Sequence, residues 1–211
     1  MMTNGLMQSL TEFLATGGPV LALLAALSVL SLAVVLYKLW QFTVAGVGRH
    51  KRLQIALNLW DQGDFEHARS ELDNARSFLA PAAKLAMQLG DGQAVRHRIE
   101  TEAERQFQPL ESGFRFLDSV AQLAPLLGLF GTVLGMIEAF QTLQSAGNQV
   151  DPSSLAGGIW VALLTTAAGL AVAMPTAMAL AWFESRIDYD RALADRAIAT
   201  ILRPTHSATE G

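Results

Sequence analysis

Cysteine is absent from the 211 residues. That excludes a disulfide framework, a thiol nucleophile and any cysteine-ligated metal. Charge is scarce as well: 16% of residues are charged against 51% hydrophobic, with a mean hydropathy of +0.30, a balance typical of membrane proteins rather than soluble domains. No basic excess suits a nucleic-acid partner, since the net charge is −4. No strand pattern, internal repeat or phosphate-cradling glycine loop occurs. GLFGTVLG lacks the lysine that a P-loop requires. The four histidines, His50, His67, His97 and His206, show no i,i+4 pairing, so no metal site or cofactor is expected. The acidic EAE at 102–104 reads as a solvated helix face. No enzyme active site is expected.

Where charge is missing altogether is more informative. The runs between Glu12 and Lys38, Asp118 and Glu138, and Asp151 and Glu184 hold 25, 19 and 32 uncharged residues. About 20 apolar residues cross a hydrocarbon core as a helix. The chain is therefore expected to be an all-α integral membrane protein with three transmembrane helices and long helices extending into the cytoplasm. The first run lacks a basic leader and is too long for a cleaved signal, so it reads as a retained anchor.

Lysine and arginine set the orientation. All 15 lie in 38–118 or 184–211, which by the positive-inside rule puts those segments in the cytoplasm and the N-terminus outside. The expected segments are a periplasmic stretch 1–16, span one 17–42, a cytoplasmic helical insert 43–115, span two 116–143, a periplasmic loop 144–156, span three 157–183, and a cytoplasmic helix and tail 184–211. Tyr37, Trp40, Phe42 and Trp182 fall where aromatic rings meet the cytoplasmic interface. The basic GRHKR at 48–52 either holds anionic headgroups or simply enforces topology.

Within the insert, DQGD (61–64), Ala80-Pro81 and LGDG (89–92) read as breaks. Val95, Ile99, Ala103, Phe107, Leu110, Phe114, Leu117 and Ala121 draw a helical stripe into span two, and Pro109 either kinks this run or starts a fresh helix reaching about residue 143. After span three, Arg186–Asp190 and Arg191–Asp195 are spaced for i,i+4 pairs. Ile187, Ala194, Ile198 and Ile201 share a side, and the chain from Pro204 reads as a loose tail.

Span two carries Ala124, Gly128, Gly131, Thr132, Gly135 and Ala139 on one narrow face. Span three carries Gly158, Ala162, Thr165, Thr166, Gly169, Ala173 and Thr176. Small residues allow the close backbone approach on which helix association in lipid depends. Two such stripes imply tight packing between spans two and three or between neighbouring subunits. Span one has fewer such positions and reads as lipid-facing. Mid-span threonines either return their hydroxyls to their own helix or line a polar lumen.

The stretches APLLGLFGTVLGMIEAF (124–140) and GGIWVALLTTAAGLAVAMPTAMAL (157–180) resemble the second and third spans of the ExbB/TolQ/MotA proton-channel family, closest to its ExbB branch. The resemblance covers about residues 115–190. It implies an inner-membrane homo-oligomer, pentameric in this family, whose second and third spans surround a pore. An ExbD-like partner's transmembrane helices occupy that pore, and proton flow drives motion passed to a TonB-like protein. By motif position Thr132 and Thr166, with Thr165 beside it, would line the pore. Pro125 and Pro175 match the family's span prolines, and with Gly128, Gly131, Gly135 and Gly169 they would serve helix packing.

One position departs from the pattern: Val161 stands where many members have glutamate. The charge-free interiors of the three spans then contain no Asp, Glu, His, Lys or Arg, so the ionisable group must come from the partner, or the protein conducts differently. Glu138, at the outer end of span two, is the nearest acidic residue. TolQ-like and MotA-like stators serving other clients are alternatives, though MotA-type proteins carry an extra span that three gaps do not supply. So is a non-conducting scaffold, which Val161 favours.

Overall fold

The structure, a computed structural model, describes residues 18–89, 93–146 and 152–203. The expected outer segment 1–16, positions 90–92 of the LGDG break, 147–151 of the outer loop and the tail from Pro204 lie outside the described residues. Every regular element among the described residues is an α-helix: α1 Gly18–Ala45, α2 Lys51–Asp61, α3 Phe65–Asp73, α4 Ala80–Leu89, α5 Gln93–Glu111, α6 Phe114–Ala146 and α7 Pro152–Leu202. Helices α1, α6 and α7 are long and apolar enough to cross a membrane, and α7, at 51 residues, has more than twice the length a hydrocarbon core requires.

The described residues of Met1–Val35 and Gly113–Leu180 form one compact unit, and those of Leu36–Ser112 and Ala181–Gly211 a second. In the first unit, Val20 and Leu24 of α1 are buried with Ala124 of α6 and Ala173 of α7, flanked by Leu127, Ala168 and Val172. Span one is thus exposed on one side only. Leu23, Val29, Leu30 and Leu32 are exposed, while Val20, Leu24 and Ser31 are buried, a spacing of four and seven that keeps one seam inward.

In the second unit, α2 and α3 are joined at the expected DQGD turn. Gly63 takes a left-handed φ of 85°, which costs glycine little, and the Asp64 carboxylate caps α3 by accepting from the His67 amide. Ala80-Pro81 marks a helix start rather than an interruption, with Pro81 in the first turn of α4, where a missing N–H costs no hydrogen bond. Of the two readings of Pro109, a kink in the run or the start of a fresh helix, the second is corrected. Pro109 stays inside α5, and the chain breaks at Gly113, whose φ of 88° only glycine adopts freely. Phe114 then opens α6.

The α5 stripe of Ile99, Ala103, Phe107 and Leu110 is buried, as are Ile187, Ala194, Ile198 and Ile201 of α7. The Trp60 indole N–H donates to the Ile201 carbonyl at 3.1 Å. The expected i,i+4 pairs on α7 give way to longer-range partners. Arg191 reaches Glu104 at 3.0 Å and Glu111 at 2.8 Å, and its guanidinium lies 5.0 Å from the Phe107 ring centroid. Asp190 pairs with His50 at 2.9 Å. An exposed i,i+4 pair offers only a few tenths of a kcal/mol, whereas a buried carboxylate left without a partner costs far more.

Candidate functional site

The glycine positions of α6 and α7 form a single antiparallel seam within this chain. Only atoms of the facing helix fill the space a side chain would take. A Cβ on Gly128 would stand 2.9 Å from the Thr165 carbonyl oxygen and 3.0 Å from the Thr166 Cα. On Gly131 it would meet Thr165 Cβ at 2.7 Å, and on Gly135 the Ala162 Cβ at 3.0 Å. A Cβ on Gly169 would stand 2.5 Å from the Ala124 carbonyl oxygen and 3.1 Å from the Gly128 Cα, and one on Gly158 would stand 2.7 Å from the Ala139 Cβ. Of the two arrangements the stripes allowed, the seam joins spans two and three of one chain. Backbone contact this close gives dispersion energy and short polar contacts without any hydrophobic drive from water.

The three threonines take different positions. Thr165 is enclosed in the seam, 2% exposed. Its hydroxyl donates to Ala162 O at 2.7 Å, with the Gly128 carbonyl across the seam a longer acceptor at 3.3 Å. Thr132 lies off the seam on the open flank of α6, in a shallow groove with Val133, Met136, Ile137 and Phe140, and its hydroxyl donates to Leu129 O at 2.7 Å. That bond leaves the oxygen's lone pairs available. Thr166 is half-buried, and its hydroxyl oxygen is buried without a hydrogen-bond partner among the described residues.

Pro125 and Pro175 both sit inside helices, each removing one N–H from the ladder. Pro125 is half-buried, whereas Pro175 is exposed. Glu138 is exposed near the C-terminal end of α6, and Val161 is half-buried one turn before Thr165. The structure therefore brings together Gly128, Gly131, Gly135, Gly169 and Thr165. It leaves Thr132 and Glu138 on the outer surface of the pair.

Two buried polar clusters in the second unit escaped the sequence reading. Lys38, 1% exposed, donates to the carbonyls of Pro109 at 3.2 Å and Leu110 at 3.0 Å, and to Gln41 Oε1 at 2.8 Å. It thereby neutralises the carbonyl end of α5. His50 bridges Ser77, 2.9 Å from Nδ1, and Asp190, 2.9 Å from Nε2, tying the entry to α2 to α7. At the surface, Asp64 and His67 lie 2.8 Å apart. Their hydrogen bond holds the Asp64 carboxyl below its usual range and the His67 imidazole above its own.

Residues 69–195 match the model of the MotA/TolQ/ExbB proton channel family. A biopolymer transport protein named ExbB-like 1, from Synechocystis, is 39% identical over 111 residues, covering 52% of this chain and 42% of that protein. The biopolymer transport protein exbB1 of Vibrio cholerae is 44% identical over 72 residues, 34% of this chain and 32% of the relative. The Tol-Pal system protein TolQ of Haemophilus influenzae is 44% identical over 75 residues, 36% of this chain and 32% of the relative. The matches span less than half the length of these relatives.

Proposed function

The chain belongs to the MotA/TolQ/ExbB proton channel family, and on that premise we propose that it is the channel subunit of an ExbB–ExbD-type motor. In this reading it sits in the bacterial inner membrane with its N-terminus periplasmic and its C-terminus cytoplasmic. Copies of the chain assemble as a homo-oligomer, a pentamer by family analogy, around the transmembrane helices of an ExbD-like partner. Proton-motive force is converted into motion that reaches a TonB-like protein and drives outer-membrane transport. The protein is a transport subunit and not an enzyme.

The observation that carries this reading is the Thr166 hydroxyl, buried with no hydrogen-bond partner among the described residues. A buried polar atom without a hydrogen bond costs about 1–3 kcal/mol, a cost that a water or a partner's side chain in the assembled complex removes. Thr132, off the seam with free lone pairs, offers a second polar point on α6. Thr165 is already engaged between α6 and α7, so its role is to hold the pair together. Threonine does not titrate near neutral pH, and Val161 supplies no acid, so the proton-carrying group comes from the partner, with these hydroxyls relaying hydrogen bonds to it. Glu138 serves as an acidic group at the outer mouth.

Proton flux into vesicles holding the chain with an ExbD-like partner tests the proposal. Thr166→Val is expected to lower partner-dependent flux about tenfold, the equivalent of one lost hydrogen bond in a low-dielectric path. Undiminished flux in that variant removes the relay, and no flux from the wild-type complex leaves a non-conducting scaffold. A TolQ-like role with a different client is the second reading, favoured by the 44% identity to a TolQ protein. Which partner co-purifies from the native membrane separates the two.

A further inference from the structure

We propose that the turn between α1 and α2, together with the connection after α3, forms a binding site for a phosphate oxyanion. Arg49, Lys51, Arg52, Asn74 and Arg76 line one cleft of 540 Å³, drawn from two segments more than twenty residues apart. The backbone holds these segments in register. Gly46, with a φ of 72°, receives the Arg76 carbonyl so closely that no Cβ fits, and Gly48 packs against the Arg186 guanidinium. The cations are thus brought together by a fixed turn rather than by chance proximity of flexible chains.

Almost nothing among the described residues neutralises them. Among the described residues, the side chains of Arg49, Lys51 and Arg76 make no ion pair or hydrogen bond, and Arg52 has only a loose, exposed contact with Glu71 at 3.6 Å. Two acids close by in the structure are engaged elsewhere: Asp73 by Lys84 at 2.7 Å and Asp190 by His50 at 2.9 Å. The cleft also adjoins the start of α2, whose first turn holds Lys51 and Arg52, has no acidic residue, and lacks a side-chain cap at His50. Cations at the positive end of a helix repel its dipole. Three unpaired cations and a loosely paired fourth beside an uncapped helix start carry an electrostatic cost that a phosphate group relieves. Arginine suits this ligand because its planar fork pairs two oxygens at once.

The ligand is either the phosphate of an anionic phospholipid headgroup or a free phosphate. Arg49 follows the end of α1 at Ala45 by four residues, within easy reach of a headgroup. The site is independent of the proposed channel role. It can be tested on the full-length protein in detergent by titrating inorganic phosphate at constant ionic strength and, separately, short-chain phosphatidylglycerol against phosphatidylcholine at equal mole fraction. Thermal unfolding and titration calorimetry give the readout.

Saturable binding is expected, weakening about fivefold for each cation removed, from the roughly 1 kcal/mol a basic residue contributes near an anionic surface. Arg49→Gln with Arg76→Gln should therefore lose about 25-fold, while Arg98→Gln, an exposed cation outside the cleft, should lose nothing. Binding of both probes identifies the phosphate group itself as the ligand, and binding of phosphatidylglycerol alone identifies the headgroup. Without anion, the double variant should unfold at the wild-type temperature or above it, since repulsion has been removed. Absence of saturable binding, equal binding by the double variant, or destabilisation of that variant in anion-free buffer overturns the proposal.

Discussion

Gly169→Ala tests the α6–α7 seam most sharply, because Gly157→Ala on the same helix is its natural control. At Gly169 the new methyl would stand 2.5 Å from the Ala124 carbonyl oxygen and 3.1 Å from the Gly128 Cα. Ordinary contact needs about 3.4 Å or more, and both obstacles are backbone, so relief requires the helices to move apart by several tenths of an ångström. Overpacking of this kind costs about 1–3 kcal/mol. Replacing a helical glycine returns up to about 1 kcal/mol, which leaves a net loss of about 1–2 kcal/mol. At Gly157 nothing lies within 4 Å of the added Cβ, so only the propensity gain acts. The two variants should differ by about 2 kcal/mol, roughly 30-fold in the folding equilibrium. Equilibrium unfolding of the full-length protein in mixed micelles with rising dodecyl sulfate, followed by tryptophan fluorescence, gives the comparison. If Gly169→Ala is as stable as Gly157→Ala, the seam is not the close backbone contact described.

The other expectations concern single polar groups. Thr165→Val removes the hydroxyl that bonds Ala162 and contacts Gly128, and should cost about 0.6 kcal/mol in the same unfolding assay; a loss above 2 kcal/mol would mean that the hydroxyl, rather than the glycines, holds the pair. Lys38→Met leaves the Pro109 and Leu110 carbonyls without their ammonium donor and should destabilise by about 1–3 kcal/mol, visible as earlier proteolysis near Gly113; wild-type resistance would contradict that anchoring. Asp190→Ala strips His50 of its buried partner and should cost about 3 kcal/mol, read from thermal unfolding, with an unchanged melting temperature as the refuting result. At the start of α3, the raised His67 value adds stability that is complete below the usual 6.5 and fades as pH rises through the shifted value. The lowered Asp64 value adds stability present above the usual 3.8 and lost as pH falls through its own. Amide protection of the first turn of α3 should therefore be greatest between those two values, and a flat profile would contradict the pairing.

Much of this was legible in the chain because it follows from local pattern. Three charge-free runs announce three long apolar helices, since an unbroken apolar run of twenty or so residues satisfies its backbone hydrogen bonds in lipid within itself only as a helix. The glycine and alanine stripes announced a close helix contact through their spacing. They could not say which threonine the contact would enclose. Thr165 and Thr166 are adjacent, about 100° apart around the helix, and the register of the two helices decides between them.

Long-range pairing was invisible for a plainer reason. His50 and Asp190 are 140 residues apart, as are Trp60 and Ile201 to within one, and nothing local marks either member as buried. Arg191 and Asp195 are spaced for a helical pair, yet tertiary partners across to α5 outbid an interaction worth so little. Pro109 was a misleading signal beside Gly113: a proline in a last turn removes one hydrogen bond, but only the glycine four residues on can take the left-handed turn that ends the helix.

The central claim is that the Thr132 and Thr166 side chains face a wet axis once the complex assembles. The absence of native cysteine allows a direct measurement: labelling of Thr132→Cys and Thr166→Cys, one at a time, by a water-soluble thiol reagent in reconstituted membranes, with Val29→Cys on the exposed side of α1 as the lipid-facing reference. Both threonine positions should react, the ExbD-like partner should slow the reaction, and position 29 should stay unlabelled. Protection of positions 132 and 166 at the level of position 29, with or without the partner, would contradict that claim.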